Sequence, residues 1–137
     1  MSIVQTQTTS FKKELYQGVH NLSANTLKIA LYTASADLNA DTIVYTTTGE
    51  VSATGYTAGG SVLTGVTIES SGSVAYVNFA NVSWAATITA RCALIYNASQ
   101  SNKSIAVLDF GSDKTSSAFT ITMPSNTSTT ALIRSSN

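Results

Sequence analysis

Residues 88–110, ITARCALIYNASQSNKSIAVLDF, decide how this chain is read. Two apolar, alternating runs are joined by a short polar segment, which is the sequence form of an antiparallel hairpin. In the first run Ile88, Ala90, Cys92, Leu94 and Tyr96 share one parity, and Thr89, Arg91, Ala93 and Ile95 the other. The first set predicts one apolar, buried face. The second run, 105–110, is apolar on both parities except at Asp109. That pattern suits a strand covered on two sides or lying near the middle of a sheet.

Outward from this hairpin the chain is strand after strand. Upstream, residues 26–33 (TLKIALYT) alternate Leu27, Ile29 and Leu31 against Lys28, Ala30 and Tyr32. Residues 61–69 and 74–82 read as two further strands with a tight turn at Ser70, Ser71, Gly72 and Ser73. Trp84 is placed to plug an end of the core. Downstream, GSDKTSS (111–117) reads as a turn, Phe119, Ile121 and Met123 as a strand stopped by Pro124, and 131–134 as a short last strand. The period changes once: Phe11, Leu15, Val19 and Leu22 fall on one helical stripe, predicting a helix from 10 to about 22 capped by Ser10 or Thr9 and weakened by Gly18. The expected fold is mainly β, an antiparallel β-sandwich of about seven or eight strands with one short N-terminal helix. Residues 1–9 form an N-terminal arm and 10–137 a single domain.

Composition narrows the function classes. Of 137 residues 43% are hydrophobic, enough for a core, but only 10% are charged against about 25% in ordinary globular chains. Seven basic residues balance seven acidic ones, so no net field draws in nucleic acid or an anionic membrane. No run approaches the length of a membrane helix, and no secretory signal is read at the start. Low charge and zero net charge weaken the usual defence against association, so the protein is expected to work packed against others.

The motifs that suggest chemistry fail on inspection. Asp37, Asn39 and Asp41 open like a calcium loop, but Thr42 stands where glycine is needed and Thr48 where the bidentate glutamate belongs. An Asx-type turn is expected instead. GYTAGG (55–60) lacks a phosphate-binding lysine and leads into a strand. Asp109-Phe110-Gly111 copies a kinase triplet in a chain too short for a kinase. His20 has no Gly-x-Ser-x-Gly elbow to serve, and Cys92, on an apolar parity, reads as a small buried hydrophobe. The expectation is no enzyme, no cofactor, no metal and no small-molecule substrate.

Two segments are left as carriers of function. The arm holds Ile3 and Val4 in polar surroundings and is a frayed terminus, an edge strand or an extension that docks on a neighbour. With Phe11, Lys12 and Lys13 it forms the candidate assembly contact. Residues 34–60 make a long, glycine-rich connection whose Tyr45 and Tyr56 either clip it to the body or offer a binding loop.

The segments SFKKELYQGVHNL, LKIALYTASADL, VYTTTGEVSATGYTAGG, ITARCALIYN and AVLDFGSDK, in that order, resemble a family of small bacteriophage proteins that recur in virion gene clusters. The likeness runs from Ser10 to Arg134 and departs at Cys92, where a small residue such as glycine is expected. It implies a virion structural protein, a capsid decoration or cement protein made in the host cytoplasm and bound to the outer surface of the major capsid protein shell. A homo-oligomer, dimer or trimer, is expected there. The alternative is a tail-associated or fibre-base module that recognises a host surface through the Tyr45 and Tyr56 loop.

Overall fold

The structure, a computed structural model, describes residues 3–135. Its elements in chain order are β1 (Thr6–Gln7), α1 (Thr9–Tyr16), β2 (Leu27–Tyr32), β3 (Ser61–Val62), β4 (Thr67–Ser71), β5 (Val74–Asn78), β6 (Val82–Trp84), β7 (Ile88–Asn97), β8 (Lys103–Ser116), β9 (Phe119–Ile121) and β10 (Ile133–Ser135). The β7–β8 hairpin is the centre of a five-stranded sheet ordered β1-β8-β7-β2-β3. A three-stranded sheet, β10-β5-β4, and a two-stranded one, β6-β9, complete the domain, and every strand pair is antiparallel. The hairpin loop ends in two left-handed residues, Ser101 and Asn102, a conformation that asparagine tolerates better than most.

The mainly-β expectation with one helix holds. The described residues, however, carry ten strands in three separately hydrogen-bonded sheets rather than seven or eight. The excess comes from β1 and β6, pieces of two and three residues, and from 61–69 dividing into β3 and β4.

The single apolar parity expected for β7 is corrected. Ile88 and Ala90 belong to one core cluster, but so do Ala93 and Ile95, while Cys92, Leu94 and Tyr96 belong to the other. The faces exchange at Arg91. There the register jumps: Ala90 pairs with Lys114, whereas Cys92 pairs with Asp109, so residues 110–113 of β8 are extruded around Gly111, whose φ is +85°. An irregularity that breaks the period of two sends every later side chain to the opposite face. A second register shift, between Ile95 and Tyr96, puts Ile105 and Ala106 into the same cluster, while Val107 and Leu108 are buried on opposite faces, as expected for a strand covered on two sides. The turn expected at 111–117 is also corrected, because β8 runs on to Ser116. These polar residues lie beyond the core and face solvent while keeping the ladder, with the Thr89 and Thr115 hydroxyls 2.8 Å apart.

The five-stranded sheet is covered on both faces. On one, Leu27, Ile29, Leu31, Ile95 and Leu108 pack with Val77, Phe79, Trp84, Phe119, Ile121 and Ile133, contributed by the two smaller sheets and their connections. On the other, Ala30, Tyr32, Leu94, Tyr96 and Val107 lie under Ala36 and Leu38, with Tyr45 against them. Each fully buried large aliphatic side chain contributes roughly 1.5–3 kcal/mol. The long connection after β2 therefore acts as a second layer.

The helix is shorter than its stripe suggested and starts earlier. Thr8 caps it, its hydroxyl accepting the Phe11 amide at 3.3 Å, and Gly18 at φ +72° ends it. Phe11 and Leu22 are buried, but Leu15 is exposed, because the chain has left the helix before Val19 and Leu22. Of the three readings of the arm, the edge strand describes residues 3–8: the Val4 amide donates to the Leu38 carbonyl at 3.0 Å, and Thr6 and Gln7 pair with Val107 and Ala106. The arm's first two residues lie outside the described ones.

Candidate functional site

The connection between β2 and β3 is organised around Glu50, which sequence reasoning passed over. Its carboxylate accepts hydrogen bonds from the Tyr45 hydroxyl at 2.5 Å, the Tyr56 hydroxyl at 2.6 Å and the Gly59 amide at 2.8 Å. The Tyr56 oxygen also accepts the Leu31 amide of β2 at 2.9 Å, so one phenol ties loop to sheet. Tyr32 donates to the Thr46 carbonyl and Tyr96 to the Gly59 carbonyl, both at 2.6 Å. Tyr45 stacks on Tyr96 with ring centroids 4.8 Å apart. A lone acid flanked by tyrosines five residues before and six after was the available signal, but only the fold brings the three together.

This geometry favours clipping over recognition, since Tyr45 and Tyr56 both turn their hydroxyls inward. Burial raises the pKa of Tyr32, Tyr45 and Tyr56 above the ordinary phenol value, with the Glu50 charge adding to it, and pushes Tyr96 up to about 12. A phenol that ionises near 10 when unfolded and higher when folded supports the fold fully below pH 10 and loses that support as pH rises through its folded value. Stability is therefore expected to hold to about pH 10 and then fall steeply. Phenolate absorbance should show the four clustered tyrosines, Tyr32, Tyr45, Tyr56 and Tyr96, ionising only as the fold is lost. Early, non-cooperative ionisation of these four would contradict this.

The other sequence motifs resolve into structure. Asn39 accepts the Asp41 amide through its side chain at 2.9 Å and directs its own amide to the Thr42 hydroxyl at 3.0 Å, the expected Asx turn. Asp109 accepts the Gly111 amide at 2.9 Å and pairs with Arg91 across the register jump. These two partners, the Gly111 amide foremost, hold its carboxyl below the usual carboxylate range. His20 is buried with both ring nitrogens engaged: Nδ1 accepts from the Asn97 amide at 3.0 Å, leaving Nε2 to donate to Glu14 at 2.8 Å. Burial pushes the Cys92 thiol up to about 12, which leaves it un-ionised at neutral pH. Among the described residues no group of His, Cys, Asp or Glu is arranged to hold a metal ion, and no helix is long and apolar enough to cross a membrane.

The candidate assembly residues do not behave as a set. Phe11 is fully buried and belongs to the core. Ile3 is half-buried and bridges to Leu38, Val4 is 48% exposed, and Lys12 and Lys13 face solvent. Exposed apolar neighbours that sequence reasoning missed join them: Ile43 and Val44 in the connection that Val4 touches, and Leu15 and Tyr16 at the end of α1. Ile43-Val44, adjacent apolar residues in a polar stretch, carried a readable signal. Comparisons with protein-family models, curated proteins and solved structures each return no match for the chain.

Proposed function

We propose that this chain is a bacteriophage virion structural protein that decorates the capsid, binding the outer surface of the major capsid protein shell and stabilising it. The observation that carries the reading is the distribution of exposed apolar side chains. Among the described residues five of the seven large ones, Val4, Leu15, Tyr16, Ile43 and Val44, lie on the N-terminal segment, on the helix that follows it, or on the connection hydrogen-bonded to it. Exposed apolar groups gathered in this way on a nearly uncharged body mark a surface that gains by being covered. The body behind them is closed, with the central sheet covered on both faces and the long connection tied down at Glu50. The sequence resemblance to virion proteins supplies the identity of the partner. Symmetric copies at junctions of capsid subunits complete the proposal, with synthesis in the host cytoplasm and no catalytic role.

The tail-associated host-recognition reading stands second. It rests on the tyrosine and glycine content of the 34–60 connection, and the bonds of Tyr45 and Tyr56 to Glu50 favour the clipping role over it. Removing residues 2–9 does not isolate the contact, because it also deletes β1 and the Thr8 cap. Val4→Asp with Ile43→Asp alters only exposed side chains. Phage carrying this pair should show at least a roughly tenfold drop in copies retained per purified head, equivalent to about 1.4 kcal/mol of binding. Full occupancy by the doubly substituted protein would refute the proposed contact.

A further inference from the structure

Two grooves join beside α1. The first, of about 640 Å³, has a lining that includes Gln7 of β1, Lys12, Leu15 and Tyr16 of α1 and Arg134 of β10, and no acidic residue. Lys12 and Arg134 are exposed, and among the described residues neither takes part in an ion pair. The second, of about 500 Å³, continues from the first, since Gln7, Leu15 and Ser135 line both. Its lining adds Phe11, Leu22, Ile68, Val77 and Ile133 and contains no Asp, Glu, Lys or Arg. Leu15 and Ile68 are left 40% and 52% exposed there. The acidic connection reaches the helix on another side: the Thr9 amide donates to the Ala40 carbonyl at 2.9 Å, and the Ser104 hydroxyl bonds both to Ser10 and to the Thr42 carbonyl. Lys13, four residues after Thr9 and three after Ser10, shares that side. Leu15 and Tyr16, three and four residues after Lys12, share with it the side that lines the groove.

We propose that these joined grooves hold a segment of the shell protein that carries carboxylates at one end and apolar side chains at the other. Its carboxylates meet Lys12 and Arg134, and its apolar side chains lie along Leu15 and Ile68. Charge complementarity selects the acidic end, because two cations unpaired among the described residues line a groove with no acid in it. The apolar end follows from the continuation, where covering Leu15 and Ile68 removes apolar surface from water. The two strands that border the first groove select a polypeptide over a lipid. β1 and β10 are each the last strand of a sheet, and among the described residues only the Gln7 side chain, donating to the Arg134 carbonyl at 3.0 Å, spans them. The other backbone groups on their outer edges have no strand partner, and a polypeptide can bond to them. The inference rests on the decoration reading and adds to it the chemistry of the partner's side.

Binding of the purified chain to heads from phage that lack it tests the proposal. Wild-type binding should weaken as salt is raised, because ion pairs in an open groove are screened. Lys12→Glu with Arg134→Glu should raise the dissociation constant roughly tenfold or more. Lys114→Glu, a reversal at an exposed cation outside both grooves, should change it by about twofold or less. Circular dichroism verifies the fold of each variant. If the double reversal fails to fold, Lys12→Gln with Arg134→Gln should still weaken binding and flatten its salt dependence. Wild-type binding that folded groove variants keep in full, or that Lys114→Glu reduces equally, would overturn the groove and leave the decoration reading standing. A wild type that does not bind heads would overturn both. Groove-dependent binding to phosphatidylglycerol vesicles in place of heads would assign the groove to a membrane surface and equally overturn the proposal.

Discussion

Gly60→Ala is expected to yield no stably folded protein. Gly60 is the last residue before β3, and its successor Ser61 pairs with Ile29 of β2. A Cβ placed on Gly60 would sit 1.8 Å from the Ile29 carbonyl oxygen and 2.6 Å from its carbonyl carbon. Both are backbone atoms of a central strand, so no side chain can swing aside to make room. The residue also has φ +81°, which an alanine resists. Steric overlap and backbone strain together should remove more than about 4 kcal/mol, a large part of the stability of a domain this size. Gly72→Ala is the internal control. Gly72 shares a positive φ of +61°, but a Cβ there meets nothing within 4 Å, so only strain of roughly 1–2 kcal/mol applies. Urea denaturation of the two variants separates these cases, and comparable stabilities would mean that the loop does not approach β2 as closely as described.

Glu50→Ala is the second large effect. It leaves the Tyr45 and Tyr56 hydroxyls and the Gly59 amide without their acceptor at once. Hydrogen bonds to a charged group contribute about 1.5–3 kcal/mol each, but these three share one carboxylate and Tyr45 is only half-buried, so their losses do not sum. A net loss of about 3 kcal/mol is expected, with the connection at 40–60 becoming open to proteases before the rest of the domain. Glu50→Gln should fall between this variant and the wild type, since its carbonyl keeps an acceptor while its NH₂ group confronts donors. Tyr56→Phe should lose roughly 1–2 kcal/mol, because it removes the hydroxyl that links Glu50 to the Leu31 amide. If Glu50→Ala left both the urea midpoint and the protease resistance unchanged, the connection would be held by its apolar anchors Leu38 and Val51 alone.

Strands whose side chains alternate over five or more residues were legible. Residues 26–33 and the two arms of the 88–110 hairpin were readable because burial on one or both faces writes itself into the sequence. The exchange of faces at Arg91 was not, because it lies where the pairing with β8 jumps register, a place marked in the sequence only by Gly111. Nor was the far end of β8, where Ser, Thr and charge read as a turn although the ladder continues. Gly18 was recognised as a weak point in the helix, and left-handed geometry makes it the end. At the candidate site Val4, Lys12 and Lys13 were readable as exposed, whereas Phe11 looked the same in the stripe and is core. Glu50 lay beyond reach, because its partners are defined by how a long loop folds back and not by local pattern.

The most direct test of the decoration reading is to locate the protein in purified virions, by labelling it and imaging the particles. The account predicts label over the head surface at many copies per particle, reduced when Val4 and Ile43 carry aspartate. Label confined to the tail would contradict it.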